Sequence, residues 1–335
     1  EGWEPEFWAR RRDTSVLPFD PDRVRTKMWR YSPPTRFGRT YRRRIVDAED
    51  VHLVTHANVT ELVPGGSGGR VEELTVRLLN GNEMSARADR YVLACGAIQN
   101  ARLLLASDGD HPAGLGNEHD LVGRFFTEHL EVSTGHLALS QEDALALYRR
   151  DGSQARARGH LALGPEAQRD RKTLNGTAAL RPGVPEGTPG SRIQEFPEQA
   201  RETIDFYGGD EEDEEDSGDP PSLSSHRDFS LYTRIEQAPN PASRVTLGEE
   251  TDDLGVPRVR LDWQLTELDK HSIRALHEGI GEEAGRLGLG RVQLREWLRT
   301  DEPMWPSFLA AGWHHMGTTR MAANPEAGVV NGDCR

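Results

Sequence analysis

Apolar and polar positions in this chain follow two periods. Val51-His52-Leu53-Val54-Thr55-His56 and Val59-Thr60-Glu61-Leu62-Val63 change side at every residue and are rich in β-branched side chains, which predicts half-buried strands. Pro64-Gly65-Gly66-Ser67-Gly68-Gly69 predicts a turn, and Val71 to Leu78 returns as a second strand. Asn80-Gly81 then signals a hairpin into residues 83–86, completing a small antiparallel meander. Arg90-Tyr91-Val92-Leu93-Ala94-Cys95-Gly96 is different in kind. A short unbroken apolar run ending at glycine predicts a strand buried on both faces, as in a parallel sheet, with Cys95 a small buried residue.

Helical spacing begins immediately after it. Ile98, Ala101, Leu104 and Leu105 share one face, with Leu103 at its edge. Gly96 is thereby expected in a strand-to-helix turn, the position where open α/β sheets bind nucleotide ligands and where free N–H groups attract phosphate. Beyond Gly114-Leu115-Gly116 and Asp120-Leu121-Val122-Gly123-Arg124 the pattern changes. Strands are expected at residues 136–139, 229–233, 244–247 and 258–263, and a long helix from Glu267 to Arg286. Antiparallel strands with helices to one side describe an α+β domain. The expected division is residues 1–130, 131–305 and a returning C-terminal segment, 306–335.

Composition narrows the function. The chain has 335 residues, enough for two domains, and a formal net charge of -14, which argues against a nucleic-acid partner. Asp210 to Asp216 is an unbroken acidic run followed by Ser217-Gly218-Asp219-Pro220-Pro221, the composition of a solvated loop. Arg10-Arg11-Arg12 and Arg42-Arg43-Arg44 lie among acids and aromatics and are read as surface helix and loop rather than an anion-binding arm. No apolar run reaches the roughly 18 residues of a membrane span. Cys95 and Cys334 have neither disulfide nor metal spacing.

The chemistry-bearing residues cluster near the end: Trp313-His314-His315-Met316-Gly317-Thr318-Thr319-Arg320-Met321, then Gly328-Val329-Val330. A neutral imidazole can take an alcohol's hydroxyl proton as hydride leaves the carbon. Adjacent histidines are poorly disposed to share a metal ion, and no third ligand is suitably spaced. Taken alone, the pair reads equally as packed aromatic side chains beside Trp313.

Three blocks, in order, resemble the glucose-methanol-choline (GMC) flavin oxidoreductases: Thr55-His56-Ala57-Asn58-Val59, Leu93 through Ser107, and the His314-His315 segment. Asn100-Ala101, and Asp120 through His129, are similar to the branch of bacterial sugar and polyol dehydrogenases. So does Pro239 through Leu247 resemble the family's entry into the last part of its substrate domain. The resemblance implies an α/β fold: an incomplete FAD/NAD(P)-binding, Rossmann-like domain over 1–130, an α+β substrate domain with an antiparallel sheet over 131–305, and a truncated active-site segment over 306–335. It implies FAD as cofactor, contacted by Val59 and Gly96, with His314 as general base and His315 secondary. It implies a small alcohol, sugar or polyol as substrate, leaving oxidase or dehydrogenase and the electron acceptor open. The family's Gly-rich pyrophosphate turn is expected before Glu1 and its last catalytic block after Arg335, so the isolated segment is expected to be inactive. The alternative is a non-catalytic relative that keeps the substrate domain as a binding module.

Overall fold

The computed structural model describes residues 3–32, 35–66, 69–109, 111–140, 145–148, 157–182 and 228–335. The acidic run at 210–216 lies outside the described residues. In chain order the elements are α1 (Pro5–Arg11), β1 (Val24–Arg30), α2 (Phe37–Val46), β2 (Asn58–Pro64), β3 (Val71–Arg77), β4 (Glu83–Ala86), α3 (Gly96–Ala106), β5 (Leu130–Leu139) and β6 (Ala157–Leu163). There follow α4 (Pro165–Asp170), β7 (Gly176–Pro182), β8 (Asp228–Ile235), β9 (Arg244–Thr251), β10 (Pro257–Asp262), α5 (Glu267–Arg286), β11 (Gly290–Leu294), α6 (Glu296–Arg299) and β12 (Ala310–Ala311). The result is a mixed α/β chain with antiparallel sheets.

Two compact units divide the chain discontinuously. The first comprises Glu1–Tyr31, His129–Glu236 and Glu267–Gly312, and the second Ser32–Glu128, Gln237–Thr266 and Trp313–Arg335. In the first unit the strand order is β1-β6-β7-β8-β5-β11, antiparallel throughout, with β12 also on β5. The core gathers Val24, Met28, Leu137, Leu161, Leu180 and Leu231 from the strands with Leu276, Ile280 and Ala284 from α5. Those three positions recur at four-residue spacing, so one stripe of the helix is buried. His277 is fully buried beside them: Nδ1–H donates to the Ile273 carbonyl at 2.8 Å, and Nε2 lies 2.6 Å from Thr134 Oγ1. Burial pushes its pKa down to about 4.

The second unit holds the meander β2-β3-β4, the hairpin β9-β10 and α3. Ala101 of α3 is buried with Val122, Phe126 and Val245, and Ile98, Leu104 and Leu105 pack against this cluster. Arg102 fastens α3 to the hairpin, donating to the Pro257 carbonyl at 2.7 Å, the Val256 carbonyl at 2.9 Å and Asp252 Oδ2 at 2.7 Å.

Several expectations need correction. The boundaries at 130 and 305 give way to the division above. The N-terminal stretch joins the first unit because β1 pairs with β6 from Val24↔Leu163 to Arg30↔Ala157 and buries Val24 and Met28. Residues 244–262 join the second because Val245 is buried in the α3 cluster. The last segment splits between Gly312 and Trp313. Residues 51–56 form no strand, and Leu53 and Val54 are exposed. The run from Tyr91 to Cys95 is likewise no strand, although the helix expected after it is present. Val92 is 86% exposed and Cys95 is exposed. A strand needs a neighbour for its N–H and C=O groups, and no described strand pairs with this one.

Candidate active site

The segment carrying the two histidines is irregular in backbone, and hydrogen bonds rather than a helix or long strand fix its course. Met316 and Thr127 exchange two bonds, Met316 N–H to the Thr127 carbonyl and Thr127 N–H to the Met316 carbonyl, each 3.0 Å. Gly123 N–H donates to the Thr318 carbonyl at 2.8 Å, and Thr318 Oγ1 donates to the Ala97 carbonyl at 2.8 Å. Thr318 is fully buried. The Gly-Thr pair after the histidines thus clasps residues 123–127 on one side and the first turn of α3 on the other.

Gly317 must be glycine for two independent reasons. Its φ is +93°, in the left-handed region, and a Cβ there would overlap the Phe125 carbonyl oxygen. Trp313 also has positive φ, 61°, which turns the chain into the His pair. Downstream, Met321 and Val330 form a parallel bridge, and Val329 N–H donates to the Arg320 carbonyl at 2.8 Å. The Gly-Val-Val stretch therefore folds back on the residues just after the histidines.

His314 is exposed, and its backbone N–H donates to Glu128 Oε2 at 2.8 Å. His315 is half-buried: Nε2 lies 3.3 Å from the same oxygen, and the ring rests against Phe126 with centroids 5.3 Å apart. Trp313 meets the His315 ring edge-on at 6.3 Å. The Glu128 side chain is only 1% exposed. Glu128 lies within the Asp120 to His129 stretch of the family resemblance, and nothing in its local sequence marks it for a task. Its importance comes from a contact 186 residues distant in the chain.

Gly96 opens α3 with φ +82°, and no atom lies within 4 Å of where its Cβ would be. No side chain caps this helix start. Asn100 instead braces the preceding turn, Oδ1 accepting the Cys95 N–H at 3.0 Å and Nδ2 donating to the Leu93 carbonyl at 3.2 Å. The Thr318 bond to Ala97 brings the His segment and the Gly96 turn together. Val59 sits apart on β2 and is 40% exposed. Its strand is tied to the far end of α3, where Leu62 N–H donates to Ser107 Oγ at 2.9 Å.

Residues 239–335 match a family model described as GMC oxidoreductase. Paromamine 6'-oxidase of Streptomyces fradiae is 28% identical over 255 residues, 73% of this chain and 38% of that protein. 2-Methyl-1,2-propanediol dehydrogenase of Mycolicibacterium austroafricanum is 26% identical over 286 residues, 83% of this chain and 46% of that protein. The chain thus spans less than half the length of either relative. A solved formate oxidase covers 84% of the chain, and 54% of its own, at 14% identity and a TM-score of 0.45, too distant to bear on the chemistry.

Proposed function

We propose that this chain, whose residues 239–335 match the GMC oxidoreductase family model and which is 28% and 26% identical to the two relatives above, carries the histidine-bearing part of an FAD-dependent oxidoreductase acting on CH–OH groups of small alcohols, sugars or polyols. The observation that carries this reading is the clasp of the His314-His315 segment onto the Gly96 turn through Thr318 and Ala97. It joins a candidate base to a candidate cofactor edge across two-thirds of the sequence. In this reading the second unit carries Val59, Gly96 and both histidines.

The residues present suit a flavin. Gly96 offers open space and a positive φ at an uncapped helix start, so backbone N–H groups stand ready for an electron-rich edge. Val59 presents an exposed apolar side chain of the kind that covers an adenine. When bound, the flavin supplies a two-electron acceptor for hydride.

The protein's own part is proton transfer and positioning. An alcohol releases hydride from carbon readily only as its O–H proton departs. His314, exposed and held through its backbone, accepts that proton at a ring nitrogen and returns it on turnover. His315, pressed between Phe126, Trp313 and Glu128, orders the site instead of taking the proton. Losing the general base costs roughly 100-fold or more.

The test is anaerobic mixing of the flavin-loaded enzyme with a panel of primary alcohols, polyols and aldoses. Bleaching of the flavin by at least one class, with the matching carbonyl as product, is expected. A protein that binds these compounds but never bleaches with any of them is the non-catalytic binding module instead.

A further inference from the structure

Glu128 stands where the two histidines meet. Its Oε2 accepts the His314 N–H at 2.8 Å and lies 3.3 Å from His315 Nε2. Its own backbone N–H donates to Gln237 Oε1 at 3.0 Å, and the same oxygen receives the Trp263 indole N–H at 2.8 Å. Gln237 Nε2 donates in turn to the Gln264 carbonyl at 3.1 Å. The residue before it, Thr127, is one half of the two-bond bridge to Met316. The carboxyl group is therefore fixed at both its backbone and its head.

Taking a carboxylate out of water costs several kcal/mol, on the order that only directed donors offset. Here one such donor is the backbone of the proposed base, and a ring nitrogen of its neighbour lies 3.3 Å away. A carboxylate oxygen 3.3 Å from Nε2 would repel a lone pair on that nitrogen and so favours the proton there, leaving Nδ1 bare, the logic by which carboxylates orient catalytic imidazoles. Glu128 thus meets the two histidines differently: the His315 ring through Nε2 and His314 through its backbone N–H.

We propose that Glu128 is a positioning residue that locks His315 in the Nε2–H tautomer and sets the backbone from which the His314 side chain projects. The proposal rests on the reading of His314 as the base. Glu128 touches neither substrate nor cofactor in this account and acts through the histidines.

Nitrogen-15 NMR of histidine-labelled, flavin-loaded enzyme reads the tautomer, and single-turnover flavin reduction reads the consequence. In the wild type, His315 is expected with Nε2 protonated and Nδ1 bare. Glu128→Ala is expected to mix the His315 tautomers and slow flavin reduction roughly 10- to 100-fold, with KM changed less than about threefold. Glu128→Gln keeps an acceptor at the same place and is expected to hold the tautomer and most of the rate. A wild-type His315 carrying its proton on Nδ1 overturns the proposal, and that spectrum decides alone if a variant fails to fold. So does Glu128→Ala with an unchanged tautomer and rate. If His314→Ala reduces flavin at the wild-type rate, the base assignment falls, whereas the tautomer measurement still judges Glu128.

Discussion

Gly317→Ala is the substitution that most sharply tests how the histidine segment is held. Two costs fall on it together. Placing an L-residue at φ +93° costs roughly 1–2 kcal/mol by the clash that disfavours left-handed backbone. The new methyl would also overlap the Phe125 carbonyl oxygen, with Thr127 Oγ1 at 3.3 Å beyond it, and overpacking of that kind costs about 1–3 kcal/mol. The first obstacle is backbone, so relief requires shifting the Phe125 peptide, two residues from the Thr127–Met316 bridge. A total of roughly 2–5 kcal/mol makes local opening at least about 30-fold more frequent, at 1.4 kcal/mol per decade. Hydrogen exchange at the Thr127 and Met316 amides reports that opening directly. Gly81→Ala is the matched control: φ is +87°, but nothing lies within 4 Å of its Cβ, so only the backbone cost applies. If Gly317→Ala raises exchange at the bridge no more than Gly81→Ala does at its own turn, the clasp is not what fixes the segment.

Two further outcomes are expected. Thr318→Val keeps the shape of a fully buried side chain but removes its bond to the Ala97 carbonyl, costing about 1 kcal/mol by a lowered thermal midpoint; an unchanged midpoint contradicts the clasp. His277 is pushed down to about 4 by burial, and His160 to about 3 by burial and the nearby Arg158, Arg234 and Arg181. Both are neutral when folded but bind protons near pH ~6.5 when unfolded, so the unfolded state holds more protons in the window between. Their contribution is complete above that pH and is lost as pH falls, by roughly 3 kcal/mol for His277 across its window. Urea titrations with a flat pH profile through that window would refute the assignment.

Local pattern was a good guide wherever an element makes its own neighbours. The span of α5 and the turn at Gly81 were legible because helix period and turn chemistry are local, and both appear as expected. β1 was missed: its buried Val24 and Met28 are separated by Arg25, Thr26 and Lys27, and the run reads as a basic surface. The stretch from Tyr91 to Cys95 failed the other way. Its apolar character is real, but a strand's burial depends on what lies beside it, which no periodicity within the strand records. At the candidate site the histidines and Gly317 were legible as a motif. Glu128 was not, because a single acid carries no pattern and its meaning comes from a contact across 186 residues.

The central claim is that His314 takes the substrate's proton while His315 only orders the site. Single-turnover reduction of bound flavin by a saturating alcohol, followed in the wild type, His314→Ala and His315→Ala, measures that division. His314→Ala is expected to slow reduction by roughly 100-fold or more while the flavin absorbance stays intact, and His315→Ala to cost less. A His314→Ala enzyme that reduces its flavin at the wild-type rate would contradict the account.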